Sequence, residues 1–351
     1  MAGSLCPDVE IVYGCQLREV GKTMDIVQVG LGPLGQKIVR FALERGTVNI
    51  IGAVDPAPDK VGKDLGELCG VEKLGINVSG DLASALDGKK ADAAVLSTVS
   101  SLSKIEPQIA ELAGRGLNVV STCEELSFPW WTGPEIAGRI DEVCKCNGVA
   151  CLGTGVNPGY LMDFLPATLT AVCQRVDRIM VSRIQDASKR RIPFQQKIGA
   201  GLTPDQFNEK VKSGTLRHVG LTESMHMIAH RMGWALDKTT ESLEPVIAET
   251  EIGSGYTPIK PGMARGVQQI GIGFMKGKEV ISLIFRAGVG EPESYDKVEI
   301  FGEPNIESTI PGGVNGDIAT CAITINALRS IVEAKPGLRT MVDIPAVAYS
   351  K

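Results

Sequence analysis

Two carboxylates side by side, Glu124 and Glu125, follow the run Asn118-Val119-Val120-Ser121-Thr122-Cys123. Adjacent carboxylates repel each other. If one is also withdrawn from water its pKa rises toward neutrality, which makes it a usable general acid or base. The competing reading is structural, because glutamates are favoured at a helix N-terminus by the backbone dipole. Position favours chemistry: the apolar run before them reads as a buried strand, and ligands bind beyond the carboxyl ends of strands in an open parallel sheet. A second cluster, Gly30-Leu31-Gly32-Pro33-Leu34-Gly35, fits G-x-G-x-x-G, and Asp55 follows twenty positions after its last glycine. In a dinucleotide-binding turn the first glycine permits the tight bend and the second lets backbone N–H groups approach a pyrophosphate. The third allows close helix–strand packing, and the acid accepts from ribose hydroxyls. The glycine pattern alone is weak; the strand, helix, second strand and acid around it all have to be in register.

The flanking elements meet that demand. Ile26, Val27 and Val29 form a short strand, residues 36–45 carry a helical stripe at Ile38, Val39, Phe41 and Ala42, and a second strand over 48–54 ends at Asp55. Short helical turns are expected within 61–69 and over 81–86. Residues 93–98 form a continuously apolar, hence doubly covered, strand. Its end, Ser97-Thr98-Val99-Ser100-Ser101, is small and polar, and Ser97 and Thr98 are candidate cofactor contacts. A helix over 105–113, a strand over 117–122, an amphipathic helix over 134–146 and a strand over 149–153 continue the alternation. Strands alternating with helices predict an α/β fold with a Rossmann doubly wound parallel sheet over 24–156.

The pattern then changes. A helix is expected from Asn157-Pro158-Gly159 to about 173, a strand over 178–185, and helices over 204–212 and 221–232. Strands over 245–251, 266–275, 279–287 and 294–301, without intervening helices, predict an antiparallel arrangement. Together these predict a second, α+β domain over 157–311, for which the family resemblance given below implies substrate binding and dimerisation. Residues 312–351, with an apolar helix over 317–334, are expected to return to the nucleotide domain. Residues 1–23 form an N-terminal extension with a short strand candidate over 9–13, and Met24 is a possible functional start. Val280-Ile281-Ser282-Leu283-Ile284-Phe285 is apolar on both faces of its strand, which predicts a homodimer built through this domain.

Composition narrows the function classes. A net charge of −5 gives no basic face for nucleic acid. No apolar stretch approaches the ~20 residues that span a bilayer, and no basic segment followed by an apolar run marks a signal peptide. Nine scattered cysteines, an odd number, point to reduced thiols and a cytoplasmic protein. Cys144, Cys146 and Cys151 lack the paired spacing of a zinc site, and no metal is expected. Three further groups have two readings each. Lys189-Arg190-Arg191 could hold a substrate carboxylate or sit in solvent. His226 and His230 share a helix face as pocket or packing residues. Trp130 and Trp131 could roof the nicotinamide or merely pack.

The glycine turn, Asn118-Val-Val-Ser-Thr-Cys-Glu-Glu-Leu126, Gly155-Val-Asn-Pro-Gly159 and Gly312-Gly-Val-Asn-Gly-Asp317 together carry a resemblance. From Met24 to the C-terminus the chain resembles the dihydrodipicolinate-reductase-like dehydrogenases, and most closely the 2,4-diaminopentanoate dehydrogenase and native amine dehydrogenase family. The glycine turn is shared by all Rossmann enzymes; the Thr-Cys-Glu-Glu-Leu and Asn-Pro-Gly segments are far more specific. The resemblance implies NAD(P)-dependent reductive amination of ketones or aldehydes with ammonia, and the reverse deamination of amines, 2,4-diaminopentanoate among them. It also places Asn157 and Pro158 beside the cofactor. Related oxidoreductases carry a lysine just after the same strand. Setting their downstream leucine on Leu126 puts that lysine at Glu124, so Glu124 is the preferred catalytic carboxylate and Glu125 the reserve. A carboxylate suits amine chemistry, since it attracts an ammonium, takes its proton and steadies an iminium. NAD is the expected cofactor, with NADP tolerated, because Asp55 would repel a 2′-phosphate and no arginine follows immediately to hold one. Two other readings stand beside this one. The first is a reductase of a ring imine or carbonyl, whose His-rich substrate signature is missing here. The second is a Rossmann redox sensor, which the glutamate pair disfavours.

Overall fold

The computed structural model describes residues 23–216 and 219–350, so the strand candidate over 9–13 lies outside the described residues. The chain opens with β1 (Met24–Val29), α1 (Pro33–Arg45), β2 (Val48–Val54), α2 (Leu65–Cys69), β3 (Val78–Ser79), α3 (Leu82–Leu86), β4 (Ala93–Leu96), α4 (Leu102–Gly114) and β5 (Asn118–Ser121). A single 3₁₀ turn (Glu124–Leu126), α5 (Pro129–Thr132), α6 (Pro134–Cys146) and β6 (Ala150–Gly153) follow. These strands form a wholly parallel sheet in the order β6-β5-β4-β1-β2-β3. The order reverses between β1 and β4, and that switch point is where such sheets open a ligand crevice.

The sheet needs a cover on both faces, because β4, β5 and β6 are apolar on both. On one face pack α3, α4 and α6 through Leu82, Leu86, Ile105, Ile109, Ile140 and Cys144. On the other pack α1 and a helix from the far end of the chain, α11 (Gly316–Val332), through Ile38, Val39, Ala42, Cys321, Ile325 and Leu328. Ile323 and Ile331 are also buried, so α11 is apolar nearly all round, as a helix enclosed by its neighbours must be. A last strand, β15 (Gly337–Arg339), then adds parallel to the β6 edge. Nothing in its own three residues signals a strand.

Between β6 and α11 lies the second unit. It comprises α7 (Phe164–Leu169), β7 (Arg175–Asp186), α8 (Ile192–Lys197), α9 (Pro204–Lys212), α10 (Leu221–Met232) and β8 (Lys238–Ile247), then a two-stranded ribbon, β9 (Ile252–Gly253) with β10 (Pro258–Ile259). The long strands β11 (Ala264–Met275), β12 (Lys278–Gly288), β13 (Tyr295–Glu303) and β14 (Ile306–Pro311) complete it. The six-stranded sheet runs β14-β13-β7-β12-β11-β8. It is mixed rather than antiparallel throughout: β7 pairs parallel to β12, because the helices α8 to α10 intervene and return the chain in the same direction. The strand expected over 245–251 is β8, seven residues earlier at its start, because its first half is polar and half-exposed and carries no apolar run. One sheet face buries Ile179, Val181, Ile281, Leu283 and Val298 under α10 and α7. The other carries half-buried Ile270, Ile272, Ile284 and Met180 in register across β11, β12 and β7, bordered by Arg286, Lys297 and Glu299.

The helix expected to begin at Asn157 does not form there. Gly159 sits at φ 122°, a value outside the helical range, so α7 starts only at Phe164. The fully buried Asp163 holds this turn. Its carboxylate accepts from the Gly159 N–H at 2.7 Å, the Phe164 N–H at 2.6 Å and the Ser224 hydroxyl at 2.8 Å. Burial pushes its carboxyl up, against the pull of these three donors.

Candidate active site

The glycine turn has the geometry its spacing requires. Gly30 lies at φ 90°, and a Cβ there would sit 2.6 Å from the Ser97 carbonyl oxygen. A Cβ at Gly35 would meet the Gly30 carbonyl oxygen at 2.0 Å, so only glycine lets α1 approach β1 this closely. A Cβ at Gly32, by contrast, would meet nothing within 4 Å, which leaves open space over the turn. Gly32 caps α1, Pro33 opens it, and its first turn holds no acidic residue, so the positive end of its dipole faces the cleft uncompensated. The buried Gln28 stiffens the turn from beneath, donating to the Gly30 carbonyl at 2.9 Å and the Ser97 hydroxyl at 2.9 Å. Nothing in the strand pattern announced that role.

Two cavities flank this turn. One, of about 580 Å³, is bordered by Gly30, Gly32, Asp55, Lys60, Ser97 and Thr98. Asp55 accepts from the Leu31 N–H at 2.8 Å and the Ala57 N–H at 3.0 Å, and pairs with the Lys60 ammonium at 2.7 Å. Burial raises its carboxyl, but Lys60 and the two N–H groups outweigh that and hold it below its ordinary value. The second cavity, of about 540 Å³, joins Pro33, Leu34, Thr122, Glu124, Thr154, Asn157 and Pro158 with Arg191, Asp317 and Thr320. Together the two cavities form a trough over the carboxyl ends of β1, β4, β5 and β6, which matches a dinucleotide draped across the switch point. Open space at Gly32 and the bare helix terminus fit its pyrophosphate.

The two glutamates part company here. The 3₁₀ turn after β5 sends Glu124 into the second cavity and leaves its Oε2 buried with no hydrogen-bond partner among the described residues. It sends Glu125 the other way, where it accepts from the Leu102 N–H at 2.7 Å and caps α4. Thr154 Oγ1 and Asn157 Oδ1 at the same cavity are likewise buried with no partner among the described residues. Buried polar atoms are normally satisfied, so three such oxygens on one cleft, each able to accept, mark a place suited to a ligand with N–H or O–H donors.

The cleft's outer wall comes from α11. Asn315 caps it, its side-chain oxygen accepting from the Asp317 N–H at 3.0 Å and the Ile318 N–H at 3.2 Å. The approach to that cap is clamped. Arg183 and Gln185 both donate to the Val314 carbonyl at 3.1 Å, and Asp296 accepts from its N–H at 2.7 Å. Arg183 and Asp296 themselves form a buried ion pair at 3.3 Å. Asp317 pairs with Arg190 at 3.4 Å and Arg191 at 3.5 Å. Of the basic triplet, Arg191 borders the cavity and Arg190 lies over the Phe194 ring. Lys60, Thr154, Asp317 and Thr320 had no assigned role in the sequence; none has a local signal beyond being polar near a strand end or a helix start. Neither Trp130 nor Trp131 borders the cavity. Trp131 stacks on His226 at 4.2 Å, and Phe128 packs on His230 at 5.5 Å, so these aromatics pin α5 to α10.

Comparison with known proteins gives consistent matches. Residues 160–350 fit the family model described as the 2,4-diaminopentanoate dehydrogenase C-terminal domain, and residues 24–122 fit that of the dihydrodipicolinate reductase N-terminus. The chain is 33% identical over 334 residues to the 2,4-diaminopentanoate dehydrogenase of Acetoanaerobium sticklandii, covering 91% of this chain and 93% of that one. It is 22% identical over 342 residues to the amine dehydrogenase of Streptomyces virginiae, covering 90% and 94%. Among solved structures, an amine dehydrogenase from Mycobacterium smegmatis superposes with a TM-score of 0.80 at 25% identity, over 95% of this chain and 99% of that one.

Proposed function

Because the chain belongs to the 2,4-diaminopentanoate dehydrogenase family, we propose that it interconverts an amine and the corresponding ketone or aldehyde plus ammonia, with NAD(H) preferred and NADP(H) tolerated. It is an NAD(P)-dependent oxidoreductase acting on an amine. The observation that carries the direction of the chemistry is the buried, unpartnered Glu124 Oε2 at the cleft beyond the glycine turn.

The bound nicotinamide supplies a hydride acceptor or donor. The chain's own residues do the rest. Glu124 attracts the substrate ammonium and takes one proton from it, so that the neutral amine can lose hydride from its α-carbon. The carboxylate then steadies the positive iminium, which water converts to carbonyl and ammonium. In reverse, carbonyl and ammonium lose water to give the iminium, which receives the hydride, and Glu124 returns its proton to the amine. The orphaned oxygens of Thr154 and Asn157 accept the N–H groups that this cycle brings into the cleft. Arg191 at the rim is placed to meet a substrate carboxylate, as 2,4-diaminopentanoate would present.

The decisive assay follows NAD(P)H consumption with ammonia against a panel of ketones, aldehydes and keto acids, with 2,4-diaminopentanoate oxidation alongside. Consumption that needs both carbonyl and ammonia supports the reading. Consumption with carbonyl alone assigns a carbonyl reductase instead, and cofactor binding without turnover on any substrate assigns a sensor. The half-buried apolar face of the six-stranded sheet supports a homodimer. The free thiols Cys69, Cys123, Cys144, Cys151 and Cys321, all buried, support work in the reducing cytoplasm. Among the described residues no helix is long and apolar enough to cross a membrane.

A further inference from the structure

Asp55 alone should repel a phosphate on the adenosine ribose, yet it is not alone. Among the described charged residues bordering its cavity, Asp55, Asp81 and Glu111 are acidic and Lys60 is the one base. The Lys60 ammonium lies 2.7 Å from Asp55 Oδ2 and its side chain keeps 20% exposure against 10% for Asp55. The two partners are held differently. Asp55 is tied by the Leu31 and Ala57 N–H groups, so its carboxylate stays in place without Lys60. The Lys60 backbone is fixed in a turn, its N–H donating to the Ala57 carbonyl at 2.9 Å. Its ammonium, however, rides on a flexible four-carbon stem. The pair is therefore one fixed anion and one swinging cation beside the expected ribose.

We propose that Lys60 is the residue that admits NADP(H) to this site. With a free ribose 2′-hydroxyl, Lys60 neutralises Asp55 and the hydroxyl donates to the carboxylate. With a 2′-phosphate, the ammonium transfers to the phosphate and stands between it and Asp55. Without Lys60 the cavity carries only negative charge, and NADP(H) is excluded. The inference rests on the cofactor reading above, and it supplies the cation that no residue immediately after Asp55 provides.

The test is a fluorescence titration of NADH and NADPH, giving Kd values for the wild type, Lys60→Met, Lys60→Arg, Asp55→Ser and the double variant Asp55→Ser/Lys60→Met, with thermal melts of each as a folding check. The wild type should bind both dinucleotides. Lys60→Met should weaken NADPH by at least about tenfold and change NADH by less than about threefold, a loss that shrinks as salt screens the charge. Lys60→Arg should keep NADPH. Asp55→Ser should favour NADPH, and only while Lys60 is present. Equal loss of both dinucleotides in Lys60→Met, no loss of either, or a double variant that still favours NADPH overturns the proposal. So does a wild type that binds NADH and not NADPH. A wild type that binds neither removes the cofactor reading itself, a result none of the other outcomes resembles.

Discussion

Glu124 and Glu125 show how much one rotation of the backbone decides. Adjacent in sequence, they leave the 3₁₀ turn in opposite directions, one to the cleft and one to the start of α4. Glu124→Gln keeps the size and one hydrogen-bonding oxygen but cannot take a proton. It should bind NADH as the wild type does and lose about 10²–10⁴ in turnover, measured as amine oxidation at saturating cofactor. Near-normal turnover in this variant would remove the carboxylate mechanism. Glu125→Ala should act on stability, because the Leu102 N–H loses its acceptor at a helix N-terminus. A loss of about 1 kcal/mol is expected in denaturant unfolding, with turnover much less affected. If Glu125→Ala melts like the wild type and abolishes turnover, the roles are reversed. The pair and its place beyond a strand were legible in the sequence. Which member faces the cleft was not, because it depends on how the turn after β5 coils, and Cys123-Glu-Glu-Leu126 carries no residue that dictates it.

At the scale of elements, the nucleotide half was legible because its strands are short apolar runs bounded by glycine, proline or small polar residues, and its helices carry stripes of period 3.6. Asp55, Gly30 and Gly35 could be placed by spacing alone. The errors fell where long-range pairing outweighs local pattern. The β7–β12 parallel contact joins residues about a hundred positions apart, and β15 becomes a strand only because the β6 edge is there to receive it. The Asn157-Pro158-Gly159 segment reads as a helix start because proline and small polar residues favour one, yet Asp163, Ser224 and the left-handed Gly159 hold it as a turn. An amide at Asp163 cannot accept from three donors with both its atoms. Asp163→Asn should therefore leave one buried donor unpaired and lower stability by about 1–3 kcal/mol. It should also raise KM for the amine more than Kd for NADH, because Asn157 and Pro158 border the Glu124 cavity that the proposed mechanism gives to the amine, and not the Asp55 cavity proposed for the ribose. A variant that is destabilised with both constants unchanged would make Asp163 a core residue and nothing more.

For the molecule as a whole, the six-stranded sheet has one face under α10 and another with Ile270, Ile272, Ile284 and Met180 only half covered. The same face carries both signs of charge at its border, Arg286 and Lys297 with Glu299, as a self-complementary two-fold contact would use. Ile270→Glu and Ile284→Lys, made singly, should convert a dimer to a monomer at micromolar concentration in light scattering. The double variant, with opposite charges on facing positions, should recover part of it. A wild type that is already monomeric would end this reading.

The closing role of α11 and β15 has a consequence for how the protein is made. During synthesis, α1 and the first six strands leave the ribosome long before the helix that covers one face of their sheet. The intervening unit, with its non-local strand pairings, must be translated first. A nascent chain therefore carries Ile38, Val39 and the adjoining face of the sheet uncovered until residues 316–339 have appeared. Partly made domains with such exposed surfaces are prone to aggregate and to engage chaperones. A stop after residue 311 should give an insoluble product in which even the glycine turn fails to bind dinucleotide, although every residue of that turn is present. If the truncated chain is soluble and binds NADH, residues 312–351 are dispensable for the first half of the molecule. The order of the chain thus delays commitment to the fold until residues 316–339 have been made.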